Sequence, residues 1–333
     1  MNLARLPRRG YVDAPTPIEP LFHLSELLGG RVNFWMKRDD LLPGCAGGNK
    51  TRKLDYSFAD AIAGGADTIV TCGAVQSNHC RLTLAWAVKE KMDCHLVLEE
   101  RVKGSYKPDG SGNNFLFHLM GVKSITVVPG GSAMAQEMQK VADRLVDEGR
   151  TPYIIPGGAS NSIGATGYVA CAQETVQQLY EKKLVIDHIV VPSGSAGTHA
   201  GMVVGMEGTS ANIPISGINV SRRRELQEKI VHELVAATAE RVGVARPIAA
   251  EKVRCFDEYV GEGYSLPTES MIEAVKIMAS TEAILMDPVY SGKAMAGMID
   301  LARTGYFDGC ANVLFLHTGG SPALYAYTPT FMS

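Results

Sequence analysis

Short apolar segments alternate along the chain with longer segments that place apolar residues on one helical face. The short segments are rich in Val, Ile and Leu without strict alternation of apolar and polar positions, which is typical of parallel strands buried on both faces. Strands are predicted at 32–37, 67–73, 94–99, 123–128, 152–158, 187–194, 213–220 and 312–320. Helices are predicted near 50–63, 77–90, 133–148, 164–181, 223–241, 270–280 and 292–303.

This order of strands and helices predicts an α/β protein whose parallel sheets carry helices on both faces. In such sheets, ligands bind beyond the carboxyl ends of the strands. Four segments rich in glycine and polar residues stand at the step from strand to helix: "GAVQSNH", "PGGASNS", "PSGSAGTHAG" and "HTGGSPAL". We therefore expect the functional site where these four segments meet.

Length and charge narrow the classes of function. The chain has 333 residues, enough for two domains, and its formal net charge is −3. The one short basic cluster, "SRRRELQEK" at 221–229, is interpreted as a solvated loop and helix start, with anion binding left open. A nucleic-acid or membrane partner is not expected, because either would call for a basic patch.

The cysteines and the apolar runs bear on compartment. The seven cysteines are scattered and include no CxxC pair, so neither a disulfide framework nor a metal site is expected. No apolar run approaches the ~18 residues needed to span a bilayer. The first residues lack the apolar core of a signal peptide. We expect a cytoplasmic protein.

Lys50 lies in "PGCAGGNKTRKLDY", residues 43–56, at the start of a predicted helix. The segment is one substitution from a phosphate-binding GxxxxGK[ST] loop, but Asn49 replaces the glycine that lets the backbone approach a phosphate. Burial and the positive end of a helix both favour a neutral amine, which makes Lys50 a candidate for a Schiff base with an aldehyde cofactor. A third interpretation is that Lys50, Arg52 and Lys53 form an ordinary basic first turn.

A second candidate segment is "PSGSAGTHAG", residues 192–201, which follows a predicted strand and opens a helix. Its backbone N–H groups and hydroxyls can converge on one anion, and a helix N-terminus is a suitable place for a phosphate. The alternative is a tight turn without a ligand. A phosphate site combined with a Schiff-base lysine indicates pyridoxal phosphate.

Five motifs, in chain order, carry a resemblance to a known family: "GGNKTRKL", "GAVQSNH", "SGSAGTHAG", "DPVYSGKAMAG" and "HTGG". Together they resemble the D-cysteine desulfhydrase and 1-aminocyclopropane-1-carboxylate deaminase family, which are pyridoxal-phosphate enzymes of the tryptophan-synthase-β fold type. The resemblance extends from "APTPIEPL" to "HTGGSPALYAY", almost the whole chain.

The resemblance implies two three-layer α/β domains with parallel sheets and the cofactor between them. Residues 1–50 plus 156–333 would form the larger, cofactor-binding domain, and residues 51–155 the smaller one. It also implies a homodimer and a small amino acid as substrate.

The resemblance further assigns roles to residues of this sequence. Lys50 would bind the cofactor covalently, Asn78 would lie beside its phenolic oxygen and Thr318 beside its pyridine nitrogen. Its phosphate would lie in a phosphate cup formed by Ser195, Ala196, Gly197 and Thr198. The substrate would meet Ser77, Asn78, His79, Tyr264 and Tyr290, with a structural role for His79 left open. The residues expected in catalysis are Lys50, Ser77, Tyr264 and Tyr290. The group that removes the α-proton stays open between Lys50 and a hydroxyl near Ser77 and Tyr290.

Two positions separate activities within the family. The deaminases resemble "DPVYEGK" and "HLGG", whereas this chain has Ser291 and Thr318. A hydroxyl is a weaker partner of the pyridine nitrogen than a carboxylate, so the ring accepts less electron density. Elimination demands less of the ring than opening a cyclopropane does. The resemblance therefore favours α,β-elimination. The substrate it favours most is D-cysteine, which would be converted to pyruvate, sulfide and ammonia.

Other functions stay open on the sequence. The same scaffold carries L-cysteate sulfo-lyases, which expel sulfite. In that case Arg101, Lys103 or Lys107 would meet the sulfonate, and otherwise they are solvated charges of the loop at 100–114. A cyclopropane deaminase and a non-catalytic small-molecule binder are the remaining alternatives.

Overall fold

A computed structural model of the protein describes residues 1–332. The strands in this range are β1 (Ile18–Pro20), β2 (Asn33–Arg38), β3 (Thr68–Ala74), β4 (Asp93–Glu100), β5 (Ser124–Pro129), β6 (Pro152–Ile155), β7 (His188–Ser193), β8 (Ile215–Asn219), β9 (Arg254–Phe256) and β10 (Asn312–His317). The α-helices are α1 (Phe22–Leu27), α2 (Lys50–Ala63), α3 (Asn78–Lys89), α4 (Asn113–Leu119), α5 (Met134–Asp147), α6 (Ser162–Lys182), α7 (Gly197–Gly208), α8 (Arg224–Val242), α9 (Glu269–Thr281), α10 (Ser291–Arg303), α11 (Ser321–Leu324) and α12 (Thr328–Met332). Over residues 1–332, no helix combines the length and the apolar character that crossing a bilayer requires.

The eight predicted strands and seven predicted helices are all confirmed, with ends shifted by a few residues. The sequence pattern missed β1 and β9, because three residues are too few to establish a periodicity. It also missed the short helices α1, α11 and α12, together with α4, which begins inside the segment that we expected to be an irregular loop.

Two sheets organise the chain. The larger sheet has the strand order β1-β2-β10-β7-β8-β9, and the smaller one has the order β5-β4-β3-β6. Neighbouring strands are parallel, except that β1 pairs with β2 in antiparallel fashion. The predicted parallel sheets are therefore confirmed, with one antiparallel edge strand that was not predicted. Pro20 ends β1, and an edge strand tolerates a residue that has no N–H to donate.

Successive residues of the central strands enter opposite cores. In β7, Ile189 packs in a core with α6, α7 and α8, whereas Val190 packs in a second core with α9 and α10. In β3, Ile69 packs with α2 and α3, whereas Val70 packs with α5. Each sheet thus lies between two layers of helices, which confirms the predicted burial on both faces and the three-layer α/β architecture.

Candidate active site

The carboxyl ends of strands from both sheets surround one cavity of about 330 Å³. The smaller sheet contributes the ends of β3, β4 and β6, and the larger sheet contributes the ends of β7, β8 and β10. The predicted site residues that line the cavity are Lys50, Ser77, Asn78, His79, Ser195, Ala196, Thr198, Tyr264, Tyr290 and Thr318. Gly197 does not line it, but it is the first residue of α7 beside the cup. The fold therefore brings together residues that are up to 268 positions apart, from Lys50 to Thr318.

Lys50 is the first residue of α2, and its side chain is buried. Its Nζ donates to Oδ1 of Asn49 at 3.1 Å. Burial lowers the pKa of Lys50 to about 8, against the opposing attraction of Asp287. Arg52 and Lys53 in the same turn are buried as well, which argues against an ordinary basic first turn, whose charges would be solvated. A buried amine with a lowered pKa, open to a cavity, is the arrangement that a Schiff-base lysine needs.

The backbone ahead of Lys50 depends on two glycines. Gly47 has φ +65°, and a Cβ there would lie 2.0 Å from the carbonyl oxygen of Asp40. Gly48 has φ +123°, a conformation that other residues rarely adopt. The "GG" before "NK" therefore directs the chain past Asp40 and into α2, which places Lys50 at the cavity.

The predicted phosphate cup lies at the junction of β7 and α7. Ala196 has φ +77°, and this turn directs the chain into the first turn of α7, whose N–H groups lack partners within the helix. The hydroxyl of Thr198 accepts from Nδ2 of Asn49 at 2.9 Å, and that of Ser195 accepts from Ser160 at 2.8 Å. Donor-rich backbone at a helix N-terminus, ringed by hydroxyls, is suited to a phosphate.

Asn78 and Thr318 line the remaining wall. Oδ1 of Asn78 accepts from Nδ2 of Asn113 at 2.8 Å, so the amide nitrogen of Asn78 is the atom left for another acceptor. Within residues 1–332, the Thr318 hydroxyl has no hydrogen-bond partner, whereas its carbonyl accepts from the N–H of Asn49 at 3.0 Å. Gly320 permits this packing, because a Cβ there would lie 2.8 Å from Nδ2 of Asn78.

The two tyrosines form one aromatic unit. The rings of Tyr264 and Tyr290 meet edge to face, with centroids 5.5 Å apart. Nζ of Lys50 lies 5.9 Å from the centroid of the Tyr290 ring. Burial, followed by the neighbouring Tyr290, raises the pKa of Tyr264 well above its usual range. Tyr264 is therefore a protonated hydroxyl, able to donate, at neutral pH.

Ser77 and His79 differ in how far the fold leaves them available. The hydroxyl of Ser77 accepts from the N–H of Cys80 at 3.1 Å and caps α3, so the hydroxyl proton remains available for donation. The ring of His79 is buried, with Nε2 2.8 Å from the Thr71 hydroxyl and Nδ1 3.5 Å from that of Thr83. Because both ring nitrogens already face hydroxyls, the arrangement favours the structural alternative for His79.

Ser291 lies outside the cavity. It is fully buried, and its hydroxyl donates to Oδ1 of Asp287 at 2.7 Å. The Asp287 carboxylate also accepts from the backbone N–H groups of Val289, Tyr290 and Ser291. Of the two positions that separate activities in the family, only Thr318 therefore reaches the cavity. Ser291 instead holds the turn that presents Tyr290.

Sequence reasoning missed several residues of this site: Asn49, Glu99, Asn113, Arg222 and Asp287. Arg222 belongs to the basic cluster that we interpreted as solvated. It lines the cavity instead, and its Nη1 donates to the carbonyl of Gly194 at 2.6 Å. Arg223 of the same cluster is exposed, as expected. Nothing in the sequence separates these two arginines, whereas Asp287 is visible as the acidic first residue of "DPVY".

The residues present fit pyridoxal phosphate. The Lys50 amine could bind the aldehyde of the cofactor, and the cup could bind its phosphate. The amide of Asn78 could donate to the phenolic oxygen, and the Thr318 hydroxyl could contact the pyridine nitrogen. These four partners open on one cavity, and their chemistry matches the four polar groups of the cofactor.

Comparisons with known proteins agree with this fit. Residues 11–319 match the family model described as pyridoxal-phosphate dependent enzyme. The chain is 41% identical over 329 residues to D-cysteine desulfhydrases of Salmonella typhimurium and Salmonella typhi, covering 98% of each chain. Among solved structures, an ACC deaminase homologue superposes with a TM-score of 0.90 at 34% identity, over 99% of this chain and 97% of that one.

A more distant structure shares the fold alone. A fungal L-serine ammonia-lyase from Rhizomucor miehei has a TM-score of 0.66 at 16% identity, over 96% of this chain and 99% of that one. The family match spans most of the chain, and the full-length relatives are well above 30% identity. The chain therefore belongs to the pyridoxal-phosphate-dependent enzymes, in the family of the D-cysteine desulfhydrases and the ACC deaminases.

Proposed function

We propose that the protein is a carbon–sulfur lyase that converts D-cysteine to pyruvate, sulfide and ammonia. The observation that carries this proposal is that the Lys50 amine, the phosphate cup and the Thr318 hydroxyl open on one cavity. The relatives that are 41% identical over the full length are D-cysteine desulfhydrases, which supports the choice of substrate.

The residues of the chain divide the work by position. Pyridoxal phosphate, when bound, supplies an electron sink for the negative charge that develops at the substrate's α-carbon. The amine of Lys50, with its lowered pKa, is the group we assign to accept the α-proton. Ser77, at the N-terminus of α3, is assigned to the substrate carboxylate, because a helix N-terminus favours an anion.

The tyrosines are assigned to proton donation, and Thr318 to the choice between elimination and ring opening. Tyr264 is protonated and lies beside Tyr290, so this pair can offer hydroxyl protons at the cavity wall. Nζ of Lys50 lies 5.9 Å from the centroid of the Tyr290 ring at the same wall. Thr318 would give the pyridine nitrogen a neutral partner, and the Ser291 hydroxyl is occupied by Asp287. A neutral partner suits elimination better than the opening of a cyclopropane ring, so we place the deaminase activity second to elimination.

We also propose the arrangement of the chain around this site. Residues 1–50 plus 156–333 would act as one domain and residues 51–155 as the other, since the strands of the smaller sheet all lie between Thr68 and Ile155. We propose a homodimer that works in the cytoplasm. Light scattering of the purified protein tests the dimer, and a monomeric mass would contradict it.

A pyruvate-release assay tests the function. Purified holoenzyme is given D-cysteine, L-cysteine, L-cysteate, β-chloro-D-alanine and 1-aminocyclopropane-1-carboxylate in parallel, with sulfide, sulfite and 2-oxobutyrate scored. We expect pyruvate and sulfide in equal amounts from D-cysteine. Sulfite from L-cysteate, without sulfide from D-cysteine, would replace the proposal with a sulfo-lyase. Release of 2-oxobutyrate would replace it with a deaminase, and silence on all five with cofactor bound would refute the choice of substrate.

A further inference from the structure

Arg101 is a cation at the cavity that none of the roles above uses. It directly follows β4, and it lines the same cavity as Lys50, Tyr264 and Tyr290. Lys103 is exposed in the same loop and lies outside the cavity, and the exposed Lys107 lines only a neighbouring cavity. The three cations of this loop are therefore not equivalent, and only Arg101 reaches the reaction space.

Two neighbours fix the guanidinium of Arg101. Its Nε donates to Oε2 of Glu99 at 2.5 Å, and Oε1 of Glu99 accepts from the N–H of Gly131 at 2.9 Å. Its Cζ lies 4.1 Å from the centroid of the Tyr264 ring, which is a stacked cation–π contact. Glu99 thus holds one edge of the guanidinium and Tyr264 holds one face, and these two contacts fix its orientation.

The other edge of the guanidinium is free. Within residues 1–332, neither Nη1 nor Nη2 has a hydrogen-bond partner, and the side chain is 36% exposed. Arg101 and Glu99 also line a second cavity of about 560 Å³, so the guanidinium stands where the two cavities meet. Two N–H groups on a fixed plane are the arrangement that binds an anion in bidentate fashion.

We propose that Arg101 binds the substituent on the β-carbon of the substrate and stabilises the negative charge with which that substituent departs. This proposal rests on the proposed function and names its substrate class: α-amino acids whose β-substituent is, or leaves as, an anion. Ser77 and the α3 N-terminus are assigned to the α-carboxylate, and Arg222, the other arginine at the cavity, donates its Nη1 to Gly194 and Gln227. The free edge of Arg101 is therefore a positive group available to the β-substituent. The second cavity gives the departing anion a way out beside the same residue.

For D-cysteine the step balances without any further reactant. The Cβ–S bond breaks with its electron pair on sulfur, and the sulfur leaves as hydrosulfide held by the two free N–H groups. The α-proton passes to the base, and water later replaces ammonia to give pyruvate. Stabilisation of charge that develops in the transition state raises the rate of this step. A weakly basic leaving group such as chloride needs far less of this help.

The first test measures binding without turnover. Aspartate carries an anionic β-substituent that does not leave, and alanine has none. Each enantiomer of both is titrated into holoenzyme by calorimetry. We expect the wild type to bind aspartate about tenfold more tightly than alanine, the size of one charged hydrogen-bond pair. Arg101→Gln should abolish the difference and Arg101→Lys should keep part of it. Lys103→Gln, the matched control, should leave it unchanged.

The second test compares leaving groups. We expect Arg101→Gln to lower kcat for D-cysteine by about 100-fold, the scale of losing a preorganised donor to developing charge. The loss for β-chloro-D-alanine should be much smaller. An equal loss for both substrates, or a preference for aspartate that survives in Arg101→Gln, would overturn the proposal. Wild-type protein that releases no sulfide from D-cysteine refutes the proposed function alone, because the aspartate titration still decides the role of Arg101.

Discussion

Asn113 donates its side-chain Nδ2 to Oδ1 of Asn78 at 2.8 Å, across 35 positions of sequence. The same Nδ2 also donates to the carbonyl of Gln76 at 2.9 Å, and the Asn113 N–H donates to Oε1 of Gln76 at 2.8 Å. The start of α4 thereby holds the segment that carries Ser77 and Asn78. It also decides which end of the Asn78 amide faces the cavity, namely the donor end.

The first prediction concerns Asn113→Asp. The side chain of an aspartate has no N–H to donate. The Asn78 amide is therefore expected to turn its NH₂ toward the new carboxylate and its oxygen toward the cofactor. We expect the affinity for pyridoxal phosphate to fall about tenfold, a loss of ~1.4 kcal/mol, the scale of one hydrogen bond. Fluorescence titration of the apoprotein measures it.

The matched control for this change is Asn114→Asp. Asn114 is the next residue in α4, is equally buried, and donates to the carbonyl of Lys107 rather than to the Gln76–Asn78 segment. We expect the cofactor affinity of this variant to stay close to that of the wild type. Equal losses in the two variants would mean that α4 acts only on the stability of the loop.

Much of this fold was predictable, because buried parallel strands and amphipathic helices carry strong periodic signals. The strand-to-helix steps located the cavity wall for the same reason. The orientation of Asn78 was not predictable, since it depends on Asn113, whose place is set by tertiary contacts. The difference between Arg101 and Lys103 was not predictable either. In the sequence both are cations of one loop, and only the fold places Arg101 at the cavity.

Ser291 shows a different limit of sequence reasoning. The resemblance contrasts Ser291 in "DPVYSGK" with a glutamate at the same motif position of the deaminases. In this chain a short serine stands there, its hydroxyl is bonded to Asp287, and it does not line the cavity. A motif position therefore fixes the backbone, whereas the length of the side chain decides which space it fills.

The second prediction locates the lysine that binds the cofactor. Burial lowers the pKa of three lysines, Lys50, Lys53 and Lys293, so a lowered pKa alone does not identify the lysine that binds the cofactor. Only Lys50 lines the cavity, whereas Lys53 and Lys293 donate to backbone carbonyls. Reduction of the holoenzyme with borohydride, followed by peptide mapping, should find the pyridoxyl group on Lys50. A label on Lys53 or Lys293 would contradict the assignment.

The third prediction follows from the protonation of Lys50. Only the neutral amine attacks an aldehyde, and burial lowers the pKa of Lys50 to about 8. The neutral fraction rises with pH, so the rate of covalent attachment should increase through about pH 8 and level off above it. Stopped-flow absorbance of apoprotein mixed with pyridoxal phosphate measures this rate. A rate that still climbs tenfold per unit at pH 9.5 would mean an unperturbed lysine.

The fourth prediction concerns the buried charges behind α2. Both oxygens of Asp39 accept from Arg52, and Oδ2 also accepts from the hydroxyl of Tyr168 at 2.6 Å. Burial raises the pKa of Asp39, but the charge and hydrogen bonds of Arg52, the charge of Lys37 and the hydrogen bond from Tyr168 together outweigh it, and the pKa is lowered. Asp39→Asn removes the charge and leaves Arg52 buried with Glu174 alone. We expect the free energy of unfolding to drop by ~3 kcal/mol in urea denaturation.

An exposed pair provides the comparison for Asp39. Glu137 and Lys140 form an ion pair one turn apart in α5, on the surface. Glu137→Gln should change the unfolding free energy hardly at all, because exposed pairs contribute little. If Asp39→Asn were as mild as Glu137→Gln, the Asp39–Arg52 pair would not be what holds α2 and Lys50 in place.

The fifth prediction tests Thr318 as the partner of the pyridine nitrogen. Thr318→Val removes the hydroxyl and keeps the shape. Within residues 1–332, that hydroxyl has no other partner, so we expect the melting temperature to stay unchanged while kcat for D-cysteine falls about tenfold, the scale of one hydrogen bond. Thr238→Val is the matched control, because the Thr238 hydroxyl is buried and unpartnered in α8, away from the cavity. A loss of activity shared by both variants, or absent from Thr318→Val, would remove Thr318 from the site.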